Sequence, residues 1–160
     1  MKILFIQTGG TIDKDYPKTT KGYAFEIDEP AIKRILEKIK PNFNYEIIPL
    51  MRKDSLDITS NDRQVMLQSC TEADTDKIII THGTDTMIES AKFLSSIKNK
   101  SIVLTGAVKP ERFKDSDAEF NLGVAIGAVN ELNSGVYIAM NGRIVPADKI
   151  QRDELTGKFI

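Results

Sequence analysis

The chain reads as an α/β protein, a flavodoxin-like doubly wound sheet of mostly parallel strands ending in a β-hairpin. Three observations lead there. Short apolar runs rich in β-branched residues alternate with longer stretches of helical period. Polar residues and glycines gather just after the runs, where parallel strands end. The last run is followed by Asn141-Gly142, a two-residue hairpin signal.

Residues 3–7 open with Ile3-Leu4-Phe5-Ile6, continuous and apolar, and Gly9-Gly10 follow: a strand buried on both faces. Residues 29–40 carry Ile32, Ile35, Leu36 and Ile39 at i, i+3, i+4, i+7, one face of a helix. Residues 45–50 form the second strand. Residues 61–73 return to the helical period through Val65, Met66, Cys70 and Ala73. Residues 77–80 are the third strand, and 84–97 a helix with Met87, Ile88, Ala91 and Leu94 inward. Residues 101–105 are the fourth strand. In the next helix, 117–132, Ala118, Leu122, Ala125, Val129 and Leu132 face inward. Residues 135–140 make the fifth strand, with an antiparallel partner at 143–145. The polar stretch 13–22 reads as irregular and has the length of a functional loop, often a lid.

The chain has 160 residues, 41% apolar and 28% charged, which suits one globular domain over 1–160. Its 22 basic and 23 acidic residues leave a net charge of −1, with no footprint for nucleic acid or an anionic membrane. No apolar run approaches the ~20 residues of a membrane span, and the opening run is too short for a signal peptide. One cysteine and one histidine exclude an intrachain disulfide and a structural zinc site. These features suggest a cytoplasmic protein without metal or cofactor.

In the strand order 2-1-3-4-5 the switch point lies between the first and third strands. It brings the turn Thr8-Gly9-Gly10-Thr11-Ile12 beside Thr81-His82-Gly83-Thr84-Asp85-Thr86. Lys53-Asp54-Ser55, Thr105-Gly106-Ala107 and Asp148-Lys149 end on the same rim. Hydroxyls there can attack a carbonyl once deprotonated. Glycines leave N–H donors open to an oxyanion or carboxylate, and lysine and aspartate can move protons. Acyl transfer from a small polar amide fits this inventory; the P-loop spacing is absent. Taken singly the features are ordinary. Gly9-Gly10 is a common turn, and Thr84 or Asp85 reads as a helix cap. His82 reads as a packed or hydrogen-bonded residue, Lys149 as a solvated one, and Cys70 as core. Their joint placement on one rim favours chemistry.

The same strings resemble the bacterial-type L-asparaginase family. Thr8-Gly9-Gly10-Thr11-Ile12 is similar to its first signature and His82-Gly83-Thr84-Asp85-Thr86 to its second. Lys21-Gly22-Tyr23 resembles the lid, Asp54-Ser55-Leu56-Asp57 the substrate loop, and Thr105-Gly106-Ala107-Val108-Lys109-Pro110 with Phe120-Asn121-Leu122 a further block. The matches run in the family's order over residues 2–159. The resemblance implies Thr11 as nucleophile, oriented by Tyr23, and a second triad of Thr84, Asp85 and Lys149. It implies that Ser55 receives the α-carboxylate and that the Ala107 backbone meets the side-chain amide, with Gly10, Asp54 and Gly83 lining the substrate. It further implies L-asparagine as substrate and a homo-oligomer, dimer or tetramer. The chain would be a short form lacking the family's C-terminal domain, and Leu56 stands where some relatives have a polar contact. Two other readings share these residues: the amidase subunit of an amidotransferase assembly, and a small amino-acid-binding protein without turnover.

Overall fold

The computed structural model describes residues 1–18 and 25–160. Among the described residues the main sheet has six strands: β1 (Lys2–Gly9), β4 (Asn44–Lys53), β5 (Lys77–Thr81), β6 (Ser101–Thr105), β7 (Gly135–Met140) and β8 (Arg143–Pro146). Their order is β4-β1-β5-β6-β7-β8, parallel except for β8. The five parallel strands thus take the order 2-1-3-4-5 expected of a flavodoxin-like doubly wound sheet. Asn141 and Gly142 both take positive φ, 53° and 78°, as the tight β7–β8 hairpin requires.

The helices are α1 (Ala31–Ile39), α2 (Ser60–Glu72), α3 (Met87–Leu94) and α4 (Ala118–Glu131). They cover both faces of the sheet. On one face Leu4, Ile6, Ile78, Ile80 and Ile102 pack with Met66 and Cys70 of α2 and Met87, Ala91 and Leu94 of α3. On the other, Ile3, Phe5, Ile79 and Val103 pack with Ile32, Ile35 and Leu36 of α1 and Leu122, Ala125 and Val129 of α4. Alternate residues of β1 therefore enter opposite cores, which is why its sequence is apolar without alternation. Cys70 is buried as expected, and burial pushes its thiol up to about 12, so it packs as an inert apolar side chain.

Local chemistry fixes the helix starts. Thr59 and Asp62 form a reciprocal capping box at α2, where Lys53 pairs with Asp62 at 2.9 Å. Helix α1 has Pro30 at its N-cap, which offers no side-chain acceptor. The buried Asp13 carboxylate accepts from the Ala31 N–H at 2.7 Å instead.

Three expectations need correction. The stretch after the first turn is partly regular: Thr11–Asp13 is a 3-10 turn, and β2 (Lys14–Asp15) pairs antiparallel with β3 (Glu26–Ile27). Helix α3 starts at Met87 rather than residue 84, and its N-cap Thr86 makes no side-chain cap. Neither Thr84 nor Asp85 caps it. Ser55–Asp57 forms a 3-10 turn that the apolar pattern did not announce.

Ile79, fully buried in the central strand, is expected to cost about 2–5 kcal/mol when changed to alanine. Urea unfolding at neutral pH measures this, and a change below about 1 kcal/mol would contradict the packing described.

Candidate active site

The site forms where β1, β4, β5 and β6 end, and glycines decide how closely their loops approach. Gly9 and Gly10 take φ of 110° and 83°, conformations that L side chains rarely adopt. A Cβ on Gly10 would stand 2.4 Å from the Cα and N of Gly83, so the two backbones lie in direct contact. A Cβ on Gly83 would meet Ser55 Cβ at 2.6 Å and Oγ at 2.7 Å. A Cβ on Gly106 would stand 2.4 Å from the His82 carbonyl oxygen. The four loops are therefore stacked edge to edge.

Hydrogen bonds lock the stack. The β1–β4 register shifts between Gln7 and Gly9, so β4 gains residues at its end. Its Lys53 carbonyl then accepts the Gly10 N–H at 2.9 Å. Thr8 donates its hydroxyl to the Thr81 carbonyl at 2.7 Å, and Thr86 donates to the Ser55 carbonyl at 2.7 Å. The His82 N–H donates to the Thr105 carbonyl at 2.9 Å. Asn121 donates to the Gly106 carbonyl at 3.0 Å and accepts from the Asn141 N–H, while the Asp117 carboxylate accepts from the Val108 and Lys109 N–H groups.

Most of the residues singled out from the sequence come together here. Thr11 and Thr84 follow Gly10 and Gly83 on touching loops, and both are half-buried. Among the described residues neither hydroxyl is committed to a partner. Ser55 is buried, and its hydroxyl lies 3.5 Å from the Asp85 carboxylate. The half-exposed Asp54 accepts from the Leu56 N–H and pairs with Lys14 at 3.4 Å. Ala107 is buried with its methyl in the α1–α4 core, leaving only its backbone to face the rim. Lys21, Gly22 and Tyr23 lie outside the described residues. Lys149 is exposed beyond β8, its N–H bonded to the Pro146 carbonyl at 3.0 Å. Among the described residues it makes no ion pair with Asp85, whose cationic partner is Arg152 at 3.3 Å.

Sequence reasoning missed three contributors. Arg152 donates through Nη1 to the Thr84 carbonyl as well as to Asp85, both at 3.3 Å. The Asx-turn pattern of Asp153 to Gly157 signals the turn that presents it, but not where that turn docks. Ser90 and Arg63 complete a buried chain: Arg63 Nε donates to Ser90 Oγ at 3.1 Å, and Ser90 lies 2.8 Å from His82 Nε2. His82 Nδ1 lies 2.7 Å from the Gly83 carbonyl. A neutral ring with its proton on Nδ1 satisfies every member. Burial, aided by the Arg63 charge, lowers His82 to about 4 against the opposing Gly83 bond. No sequence spacing signals such a chain, because its members come from different elements. His82 is thus a packed, hydrogen-bonded residue, as its lone position suggested.

Asp13, two residues beyond Thr11, is also buried. Burial raises it to about 7, outweighing the Ala31 N–H, the Gln7 amide and the charges of Arg34 and Arg52. Gln7 Oε1 and Asp13 Oδ2 are both buried without a partner among the described residues. A proton on the carboxyl supplies one of them with a donor.

These two groups give opposite pH slopes. Native His82 takes its proton only near 4, so its share of stability is complete above about pH 6.5 and is lost as pH falls toward 4. Native Asp13 keeps its proton to about 7, so its share is present below about pH 4 and is lost as pH rises toward 7. Asp13→Asn removes the second slope. Its stability is expected to rise from pH 4.5 to 6.5 by about 2–3 kcal/mol more than wild type. Urea titrations at both pH values check this, and equal slopes would contradict it. Separately, Gly10→Ala meets backbone at positive φ and is expected to lower stability by about 3 kcal/mol or more. A thermal midpoint within a degree or so of wild type would contradict the contact.

Residues 2–156 match the family model described as "Asparaginase, N-terminal". The L-asparaginase of Thermococcus kodakarensis is 31% identical over 158 residues, covering 95% of this chain and 48% of that protein. L-asparaginase 2 of Escherichia coli is 28% identical over 164 residues, covering 96% of this chain and 47% of that protein. The solved structure of the thermostable Thermococcus kodakarensis L-asparaginase superposes with a TM-score of 0.84 at 29% identity, over 100% of this chain and 51% of that one. The chain thus spans about half the length of the curated relatives it matches. The matched residues include every loop of the rim described above, and the chain belongs to the asparaginase family, matching the family's N-terminal part.

Proposed function

We propose that residues 1–160 form an amidohydrolase domain that converts L-asparagine to L-aspartate and ammonia, with Thr11 as nucleophile. One observation carries this reading above the rest: the Gly10–Gly83 backbone contact, which brings two threonine-bearing loops from different strands against each other. Two hydroxyls, two carboxylates and open backbone N–H groups on one rim suit acyl transfer. The relatives named L-asparaginase add the substrate.

In this scheme the Thr11 oxygen attacks the side-chain amide carbon and its proton passes toward the Thr84 side. The C–N bond breaks, and nitrogen leaves as ammonia with that proton. Water then attacks the resulting ester, releasing aspartate and restoring the Thr11 hydroxyl. Backbone N–H groups near Thr84 and Ala107 stabilise the charge on the carbonyl oxygen. Ser55 and Asp54 hold the amino-acid end, and Tyr23 orients Thr11. Lys149 is assigned to the proton path with Thr84 and Asp85, which requires its flexible four-carbon stem to swing toward the rim. No metal or cofactor enters the scheme. We also propose a cytoplasmic homo-oligomer. Among the described residues no helix is long and apolar enough to cross a membrane.

The purified chain is expected to release ammonia from L-asparagine. Thr11→Val and Thr84→Val, which keep the shape and lose the hydroxyl, are each expected to lower that rate by at least about a hundredfold with the melting temperature preserved. Wild-type rates in both variants would remove Thr11 and Thr84 from the chemistry.

A further inference from the structure

Two buried oxygens close behind Thr11 lack a donor among the described residues: Oδ2 of Asp13 and Oε1 of Gln7. Both side chains are fully buried, and the Gln7 amide lies beside the Asp13 carboxyl. Turning the amide over does not help. Its Nε2 donates to the Asp28 carbonyl at 2.8 Å, and an amide oxygen placed there would meet another acceptor. Two acceptors left together in an apolar site are destabilising unless a proton joins them. Protonated at Oδ2, Asp13 can donate to Gln7 Oε1 while its Oδ1 keeps the Ala31 N–H at 2.7 Å.

This carboxyl belongs to the turn that carries Thr11. Thr11–Asp13 is a single 3-10 turn, held at both ends by backbone hydrogen bonds. At its start the Gly10 N–H donates to the Lys53 carbonyl at 2.9 Å. At its end the Asp13 N–H donates to the Gly10 carbonyl at 3.2 Å, and the Asp13 carbonyl accepts the Asp28 N–H at 3.1 Å. The Thr11 hydroxyl has no partner of its own among the described residues, so these neighbours set its place.

The charges around Asp13 are engaged elsewhere. Arg34 of α1 donates to Glu111 at 2.7 Å. Arg52 of β4 pairs with Asp28 at 3.4 Å, and Lys18 binds the same carboxylate. Beside Asp13 on β2, Lys14 pairs with Asp54 and Asp15 with Arg112. Lysines, arginines and ordinary carboxylates do not titrate between pH 6 and 8, and His82 takes its proton only near 4. Burial brings Asp13 into that window, its proton held to about 7.

We propose that Asp13 is the positioning residue for Thr11: as a neutral acid it joins Gln7 to the first turn of α1 and fixes the 3-10 turn, and when it gives its proton to solvent the turn loosens and turnover falls. The role rests on the reading of Thr11 as nucleophile. One buried proton thereby completes the scaffold and sets the upper pH limit of the chemistry.

Two readouts on the full chain test this. The first is ammonia release from L-asparagine between pH 6 and pH 8. Wild-type kcat is expected to fall about tenfold, following the protonated fraction of an acid that titrates near 7. Asp13→Asn keeps a donor toward Gln7 and an acceptor for Ala31 but cannot ionise. Its kcat is expected to stay within about threefold of wild type at pH 6 and to fall less than about twofold by pH 8. Asp13→Ala, with neither group, is expected to be slow at both pH values. The second readout is the methyl resonance of Thr11 in protein labelled at threonine methyls, identified by its loss in Thr11→Val. It is expected to move with a midpoint near pH 7 in wild type and to stay still in Asp13→Asn. A wild-type Thr11 signal that does not move across this range would overturn the role. So would the same movement, or the same fall in kcat, in Asp13→Asn. A titrating Thr11 signal in a wild type that releases no ammonia would sink the amidohydrolase reading and leave the hold of Asp13 on the turn standing.

Discussion

The packing of the Gly10 backbone against the Gly83 backbone is the constraint on which the site depends. Parallel strands β1 and β5 bring their ends side by side, but adjacent strand ends do not by themselves bring their loops into contact. Ordinary loops would hold each other apart by a side chain. Here a Cβ at Gly10, Gly83 or Gly106 would overlap a neighbouring loop. The same closeness lets Lys53 receive the Gly10 N–H and Thr86 secure the Ser55 carbonyl. Thr11, Ser55, Thr84 and Asp85 are carried on the loops so stacked.

Beneath the rim, buried polar groups keep the stack in one arrangement. The Arg63–Ser90–His82–Gly83 chain links α2, α3 and the loop after β5. Asp13 links the turn after β1 to the start of α1. Such groups contribute to uniqueness more than to net stability, since their bonds replace bonds to water. His82 is neutral because the apolar surroundings and Arg63 disfavour a second positive charge. Asp13 holds its proton to about pH 7 because burial penalises the anion. Both ionisable groups are therefore used as uncharged hydrogen-bonding parts of the scaffold over much of the acid range. The open charges, Asp54, Asp85 and Arg152, stay at the rim, where water and ligand can reach them.

What the sequence made legible follows from the range of the forces involved. The strands of the parallel sheet could be read because burial on both faces leaves continuous apolar runs, as in Ile3 to Ile6 and Ile78 to Ile80. The order of those strands followed from alternation with helices. The rim residues could be read because topology alone sends the ends of neighbouring parallel strands to one side. The start of α3 was misread because Thr84, Asp85 and Thr86 look like caps locally, whereas Thr86 and Asp85 are engaged with Ser55 across the loop interface. The β2–β3 pairing has only two residues on each side, too few for any period. Arg152 escaped notice because its partners, Thr84 and Asp85, lie some seventy residues away in the chain. The local charge pattern reads Lys149 as a solvated residue and carries no signal for Arg152. Lys149, the basic residue singled out, extends into solvent while Arg152 contacts Asp85. Side-chain identity located the neighbourhood; long-range docking decided which cation faces the carboxylate.

Nuclear Overhauser spectroscopy on protein labelled only at glycine, in a deuterated background, addresses the central contact directly. With 10 glycines the spectrum is sparse enough for assignment. A strong cross-peak between the α-protons of Gly10 and Gly83 is the expected result. A well-folded sample lacking that cross-peak, with both resonances assigned, would separate the two threonine loops and contradict the account.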